Sequence, residues 1–512
     1  MVKLPHDNRR KPKSRHSLNP NAIGKPEAYR KGCGKAAAGS NLIRDSFSVS
    51  FTNNRMKAAD LPLKNSKQNL APLPPGPKGH SILGVMPEFN RDALGFIMRC
   101  REYGDVVRAR FLYVPAYFFY NPTDIEEILS TNARNFRKSM SLRSNFFHRL
   151  VGNGLVTSEG DFWRRQRRLA QPAFHRQRIS SYGEVMVDYA TRAIARWRPG
   201  ETRDIHPDMM RLTLEIVVKT LFDADVSDDA DAVAQILSEV VKPFASQATL
   251  KWILDNRLPT PAHRRFHRAV GEIDKIVYRI IAERRSSGYD QGDLLSMLLQ
   301  AHDDDGSQMT DKQLRDEVMT LFLAGHETTA LVLSWSWYLL AKNPEAERKF
   351  HAELDEVLEG RVPQASDLIR LKYTEMIAKE AMRLYPPAYA VGREAIEECE
   401  IGGYRVPRHT QIFAFQWATQ RDPRYFENPE AFDPDRWTAE FSEKLPKYAY
   451  FPFGGGPRQC IGNYFAMMEV ILLLATIGRR FKFSLAPEAI VEVWPAIALR
   501  PKHGIKVVVT ER

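Results

Sequence analysis

The chain has 512 residues, of which 43% are hydrophobic, 10% aromatic and 27% charged. That globular balance excludes collagen-like, fibrous and wholly disordered proteins. The net charge of +12 is uneven: residues 1–55 hold twelve Lys or Arg against three acids, leaving +3 for the rest, so the body of the chain has no basic excess of the kind nucleic acid requires.

Four scattered cysteines (Cys33, Cys100, Cys399, Cys460) form no C-x-x-C pair, which argues against a disulfide scaffold or a structural zinc site and for a reducing compartment. Residues 1–70 are basic and without periodicity, and are expected to be a disordered tail. A start codon wrongly placed ahead of Met56 and an Arg-rich mitochondrial transit peptide are the alternatives for this segment. Pro72-Leu-Pro-Pro-Gly-Pro-Lys-Gly79 reads as a stiff extended connector.

Beyond it helical patterns dominate. Thr310-Asp-Lys-Gln313 is a capping box that opens a helix running to Leu340, with Asn343-Pro344 as its stop. Shorter helices are expected over 344–358 and 373–385, the latter ended by Pro386-Pro387, and strands over 107–111, 117–119, 411–414 and 506–509. The reading is a mainly α fold with a small β portion, one large domain over 71–512 crossed by a long central helix. The most apolar stretch, 321–341, contains His326 and Glu327, whose cost at a bilayer centre marks it as a buried helix and not a transmembrane segment.

The segment richest in chemistry is Phe453-Gly-Gly-Gly-Pro-Arg-Gln-Cys-Ile-Gly462. A cysteine between glycines can sit on a sharp turn whose N–H groups point at sulfur, and the apolar helix expected from Asn463 adds its dipole; both favour thiolate. Arg458 supplies a fixed positive charge for an anionic cofactor group. Taken alone, such a cysteine is a buried thiol. The whole F-x-x-G-x-R-x-C-x-G pattern, with Phe453, Gly456, Arg458 and Cys460, resembles the haem-binding loop of the cytochrome P-450 family.

Other segments resemble that family in the same order. Glu380-Ala-Met-Arg383 is similar to its E-x-x-R signature, and Phe432-Asp-Pro-Asp-Arg-Trp437 to the segment whose arginine, here Arg436, completes a structural triad with Glu380 and Arg383. Ala324-Gly-His-Glu-Thr-Thr329 resembles the dioxygen-activating signature, with Glu327 and Thr328 at a helix distortion. Trp163 and Arg167 match a W-x-x-x-R that faces a haem propionate, and Arg393 falls where another propionate-binding arginine stands. One departure is Gln420, where the family commonly has histidine before Arg-Asp-Pro and where the position is expected to support the β region.

The resemblance covers residues 70 to 510. It implies haem b (iron protoporphyrin IX) with Cys460 as axial iron ligand, and a monooxygenase that inserts one oxygen atom of dioxygen into a lipophilic small molecule. Only 52 residues follow Cys460, so a separate redox partner is expected, a ferredoxin with its reductase or a flavoprotein reductase. Lys444, Lys447 and Arg458 are candidate docking charges for it. The substrate pocket is expected from residues 140–151, 243–254, 321–322, 388–391 and 494–497, including Phe146, Phe147, Phe244, Phe322 and Trp494. A cytoplasmic monomer is expected, or a mitochondrial protein if the tail is a transit peptide. A haem-thiolate isomerase or peroxygenase, which tends to lack the acid–threonine pair, and a non-catalytic haem sensor stay open.

Overall fold

The computed structural model describes residues 71–223, 260–288, 293–302, 306 and 308–512. The tail 1–70 and the expected pocket segment 243–254, with Phe244, lie outside the described residues. The helix Asp311–Lys342 is the axis of the rest. Thr310 Oγ1 accepts from Gln313 N (3.2 Å) and Gln313 Oε1 accepts from Thr310 N (2.8 Å), so the capping box forms as the sequence requires. At the other end Asn343 Nδ2 donates to Leu339 O (2.7 Å) and Pro344 opens the next helix, Pro344–Leu358. Its 32 residues span about 48 Å.

This central helix is buried along nearly its whole length because other elements wrap it: the helices Ile205–Phe222, Pro261–Ser287, Lys372–Leu384 and Asn463–Gly478, and the strand Phe481–Leu485. A helix covered all round needs its polar groups paired. Ser334 and Ser336 donate back to the carbonyls of Ala330 and Val332 (2.6 and 2.7 Å), and Arg315 Nε bonds Asp274 Oδ1 (2.7 Å). Trp335 stacks on Tyr385 with centroids 4.2 Å apart, and its Nε1 donates to Leu499 O (2.9 Å).

The β portion is dominated by one five-stranded sheet, in the order Val106–Phe111, Val114–Phe119, Gln411–Ala414, Val391–Ala395, Phe136–Lys138. Its second and third strands are parallel, the other neighbours antiparallel. The Pro72–Gly79 connector lies along the first strand: Arg108 N donates to Pro75 O (2.8 Å), and a Cβ on Gly76 would stand 1.9 Å from Arg108 O. A three-stranded sheet joins Thr202–Asp204, Lys506–Glu511 and Phe481–Leu485, and two small hairpins complete the β structure of the described residues.

The four expected strands are present, one or more slightly longer than their patterns. Among the described residues eight others were not expected, and six of these are only three residues long, too short for alternation to show. No described helix is long and apolar enough to cross a membrane.

Thr310→Ala removes the side-chain half of the capping box, the acceptor for Gln313 N, and keeps the backbone N–H that Gln313 Oε1 accepts from. An N-cap of this type contributes about 1 kcal/mol, so the urea midpoint of the variant should fall modestly with cofactor incorporation unchanged. An unmoved midpoint would mean the helix start is held by packing alone.

Candidate functional site

The loop before Cys460 has one permitted shape. Gly454 and Gly456 adopt φ +68 and +63, which only glycine tolerates freely. A Cβ on Gly456 would lie 1.8 Å from Leu129 O, and one on Gly455 would lie 2.3 Å from the Tyr448 ring. Cys460 N donates to Phe453 O (3.0 Å), closing the turn that brings Phe453 beside the cysteine. The Cys460 side chain opens onto accessible space, while the protein around it pushes the thiol pKa up; the Gly462 N–H and the Arg167 charge pull it back down. Such a donor and such a cation are what a thiolate uses. The expected helix follows as Asn463–Gly478.

Behind the loop lies the triad. Glu380 and Arg383 are fully buried. Glu380 accepts from Arg383 Nε and Nη2 (2.9 and 2.8 Å), Arg436 Nε (3.0 Å), Trp437 Nε1 (2.9 Å) and Asp433 N (3.1 Å). Arg383 in turn donates to the carbonyls of Gln420, Pro429 and Ala431 (3.0, 2.6 and 2.9 Å). Gln420 does not brace the sheet: its Nε2 bonds the carbonyls of Met382 and Arg383 (3.0 and 3.1 Å) and its Oε1 accepts from Phe451 N (3.2 Å). An amide, which donates and accepts at once, thus ties the Glu380 helix to the approach of the cysteine loop.

A second cluster is cationic. Arg393 is buried on the strand Val391–Ala395, and its Nη1 donates to Gly392 O (2.9 Å); among the described residues it has no ion pair. Burial and the neighbouring Arg458 lower its pKa to about 10. Arg458 pairs with Glu159 and stands over the Trp163 ring at 4.6 Å, its charge used inside the protein and not displayed for a docking partner. Lys138, also buried, donates to Leu155 O and Ser158 O (2.6 and 3.0 Å), and burial with the Arg458 and Arg393 charges lowers it to about 7. Arg393, Arg458 and Lys138 therefore share Glu159, with Glu317 acting on Lys138 as well. Arg167 is turned to the cysteine loop, donating to Gln459 O (2.8 Å).

The third part is the central helix. Ala324 is exposed and Thr328 half-buried, four residues apart and so on one face of a helix otherwise covered. Thr328 Oγ1 donates to Ala324 O (2.8 Å) and Thr329 Oγ1 to Gly325 O (3.1 Å), while Thr213 Oγ1 bonds His326 O (2.9 Å). The expected distortion is not a break: the helix is continuous, and these hydroxyls bond the local carbonyls without unwinding it. Glu327 does not face Thr328 but pairs with Arg500, Nε and Nη2 both on Oε1 (2.6 and 2.5 Å).

A soft sulfur donor, a cation excess that two carboxylates would balance, and an open helix face in an otherwise packed interior fit a haem. Among the expected pocket residues, Phe146 stacks on Phe266 (4.1 Å) and is buried with Phe322, while Phe147 and Trp494 keep accessible surface.

The family model for cytochrome P450 matches residues 74–507. The chain belongs to the cytochrome P450 family. This P450 is 37% identical over 449 residues to cyclooctatin synthase of Streptomyces melanosporofaciens, covering 87% of this chain and 96% of that one. It is 37% identical to cyclooctat-9-en-7-ol 5-monooxygenase of the same organism (79% and 88% covered) and 34% identical to pentalenene oxygenase of Streptomyces avermitilis (80% and 90% covered). A solved structure, the heme domain of cytochrome P450DA, superposes with a TM-score of 0.77 at 28% identity, covering 86% of this chain and 98% of that chain. The protein is a haem-thiolate monooxygenase, an oxidoreductase that draws electrons from a redox partner and acts on a lipophilic substrate.

Sequence reasoning missed Arg500, Lys138 and Glu159. Arg500 lies 173 residues from Glu327, and no local spacing signals it. Glu380→Gln would keep the shape of the triad and leave two buried guanidinium groups without their counter-charge. Breaking a buried pair costs about 3–5 kcal/mol, so the variant should show a large fall in urea midpoint and poor haem incorporation. A normal midpoint would show that the carboxylate's charge is not what holds the loop.

Proposed function

We propose that this P450 hydroxylates an uncharged terpenoid, with haem b held by Cys460 at the iron and by Arg393, Arg458, Trp163 and Arg167 around its carboxylates. Three relatives named as acting on, or making, terpenoids support the substrate class. The apolar character of Phe147, Phe322, Ala324 and Trp494 agrees with it. The observation that carries the site assignment is the glycine-shaped turn that Cys460 N closes onto Phe453 O (3.0 Å), with Arg167 donating to Gln459 O (2.8 Å) beside the cysteine.

Bound haem supplies dioxygen binding, reduction and O–O cleavage, helped by electron donation from a thiolate ligand. The overall balance is R–H + O₂ + 2 e⁻ + 2 H⁺ → R–OH + H₂O. This chain's residues bind, orient and move the two protons. Thr328, on the open helix face, positions water there through its hydroxyl, and Glu327 takes protons from solvent and passes them toward it. Glu380, Arg383 and Arg436 touch no reacting atom and hold the loop.

The redox partner is a separate ferredoxin or flavoprotein. Lys447, 69% exposed and only loosely paired with Glu126 (3.7 Å), stands beside a recess of about 470 Å³ against Phe453, Gly454 and Gln459. That recess is the docking place we favour. Lys444, paired with Glu440 (2.6 Å), lies at the end of the nearby helix Ala439–Lys444. We further propose a cytoplasmic monomer with residues 71–512 as the haem domain and 1–70 as an appended tail, a division supported by the start of the family match at residue 74.

Cys460→Ser should abolish the strongly red-shifted absorption of the reduced carbonyl complex. Survival of that band would place the axial ligand elsewhere. Thr328→Ala should leave the resting spectrum and haem content intact while hydrogen peroxide replaces product per NADPH consumed. A positioned proton group is worth ~10²–10⁴-fold, so the change in partition should be plain. Equal coupling in wild type and variant would reduce Thr328 to a packing residue.

A further inference from the structure

The Glu327 carboxylate is spoken for. Residues adjacent on a helix point about 100° apart, so while Thr328 shares the open face with Ala324, Glu327 is buried and turned to another element. Arg500 Nε and Nη2 both bond its Oε1, at 2.6 and 2.5 Å, and the two side chains are only 15% and 11% exposed. Arginine keeps its charge at any working pH, so the cationic half of this pair is permanent. A carboxylate so held is turned away from the Thr328 face. Two imidazoles lie within reach of the same charge. Burial, with the Arg500 charge added, lowers His206 to about 3, and burial also lowers His326, so neither competes as a cation. Among the described residues Arg500 has no other carboxylate partner.

Arg500 stands on the strand Leu499–Pro501, which pairs with Val493–Pro495, Trp494 opposite Arg500. A hairpin of two three-residue strands has little stability of its own; its turn is held by Tyr389 OH to Ala496 O (3.2 Å) and by Leu499 N to Pro387 O (3.0 Å). The first of those contacts joins 388–391 to 494–497, two segments expected to meet substrate. Trp335 Nε1 on Leu499 O (2.9 Å) fixes the hairpin to the central helix one residue before Arg500.

We propose that Arg500 is a positioning residue that latches Glu327 away from the Thr328 face in the substrate-free protein, and that substrate pressing on the 494–497 turn releases it. Proton delivery then begins only when there is something to oxidise. The latch rests on the relay role of Glu327 proposed above.

The test uses haem-loaded full chain with a ferredoxin and its reductase, and compares Arg500→Gln, Arg500→Lys, Glu327→Gln and the double variant. Arg500→Gln should keep the substrate-induced Soret shift while NADPH oxidation without substrate rises several-fold; Arg500→Lys should restore the wild-type idle rate. Thermal midpoints of wild type, Arg500→Gln, Glu327→Gln and the double variant built from them give a double-variant cycle independent of turnover. The two side chains should be coupled without substrate and additive with it. An idle rate equal to wild type in Arg500→Gln, or a coupling unchanged by substrate, would overturn the latch. Loss of product coupling in Arg500→Gln matching that of Glu327→Gln, with no rise in idle turnover, would make Arg500 a fixed support and also overturn it. Unchanged product coupling in Glu327→Gln alone would remove the relay reading, and the latch with it.

Discussion

A carboxylate placed wholly out of water is tolerable only when its charge and its lone pairs are all answered. Glu380 is in that position, and the answer recruits the chain from several directions. Arg383 comes from the same helix, whereas Arg436, Trp437 and the Asp433 amide come from a segment more than fifty residues further on. Arg383 extends the demand to the carbonyls of Gln420, Pro429 and Ala431. Gln420 then reaches Phe451, two residues before Phe453. The irregular stretch leading to the cysteine, which has little secondary structure to define it, inherits its path from one buried negative charge.

That dependence explains why the motifs were readable and their geometry was not. Glu380-x-x-Arg383 announces an i, i+3 pair on a helix, and the glycines before Cys460 announce a turn; both are local facts. The capping box at Thr310 and the stop at Asn343-Pro344 bounded the central helix because end signals are also local. Arg500 on Glu327, Lys138 under the loop at Leu155 and Ser158, and Arg167 on Gln459 O join residues far apart in the chain through single polar contacts. No periodicity encodes such a contact. The six three-residue strands were missed for the related reason that they are made by the sheet they join.

The site is also electrostatically lopsided. On the side of Arg393, Arg458 and Lys138 the protein holds positive charge beyond what Glu159 neutralises, and two of the three cations make their side-chain bonds only to backbone carbonyls. On the central helix the acid is neutralised in full by Arg500. One end is therefore prepared for an anionic ligand and the other is kept electrically quiet. Such a division suits a cofactor anchored by its carboxylates and a substrate without charge.

The tight fit of Gly456 against the Leu129 carbonyl bears on how such a protein diversifies. A position where even one methyl group collides cannot drift, and neither can the backbone carbonyl it rests on. Variation is thereby channelled into the apolar side chains that face substrate, where a changed residue alters a wall without disturbing the metal end. A lineage built this way can explore new carbon skeletons by trial at a few exposed positions, while its oxidising chemistry is passed on untouched.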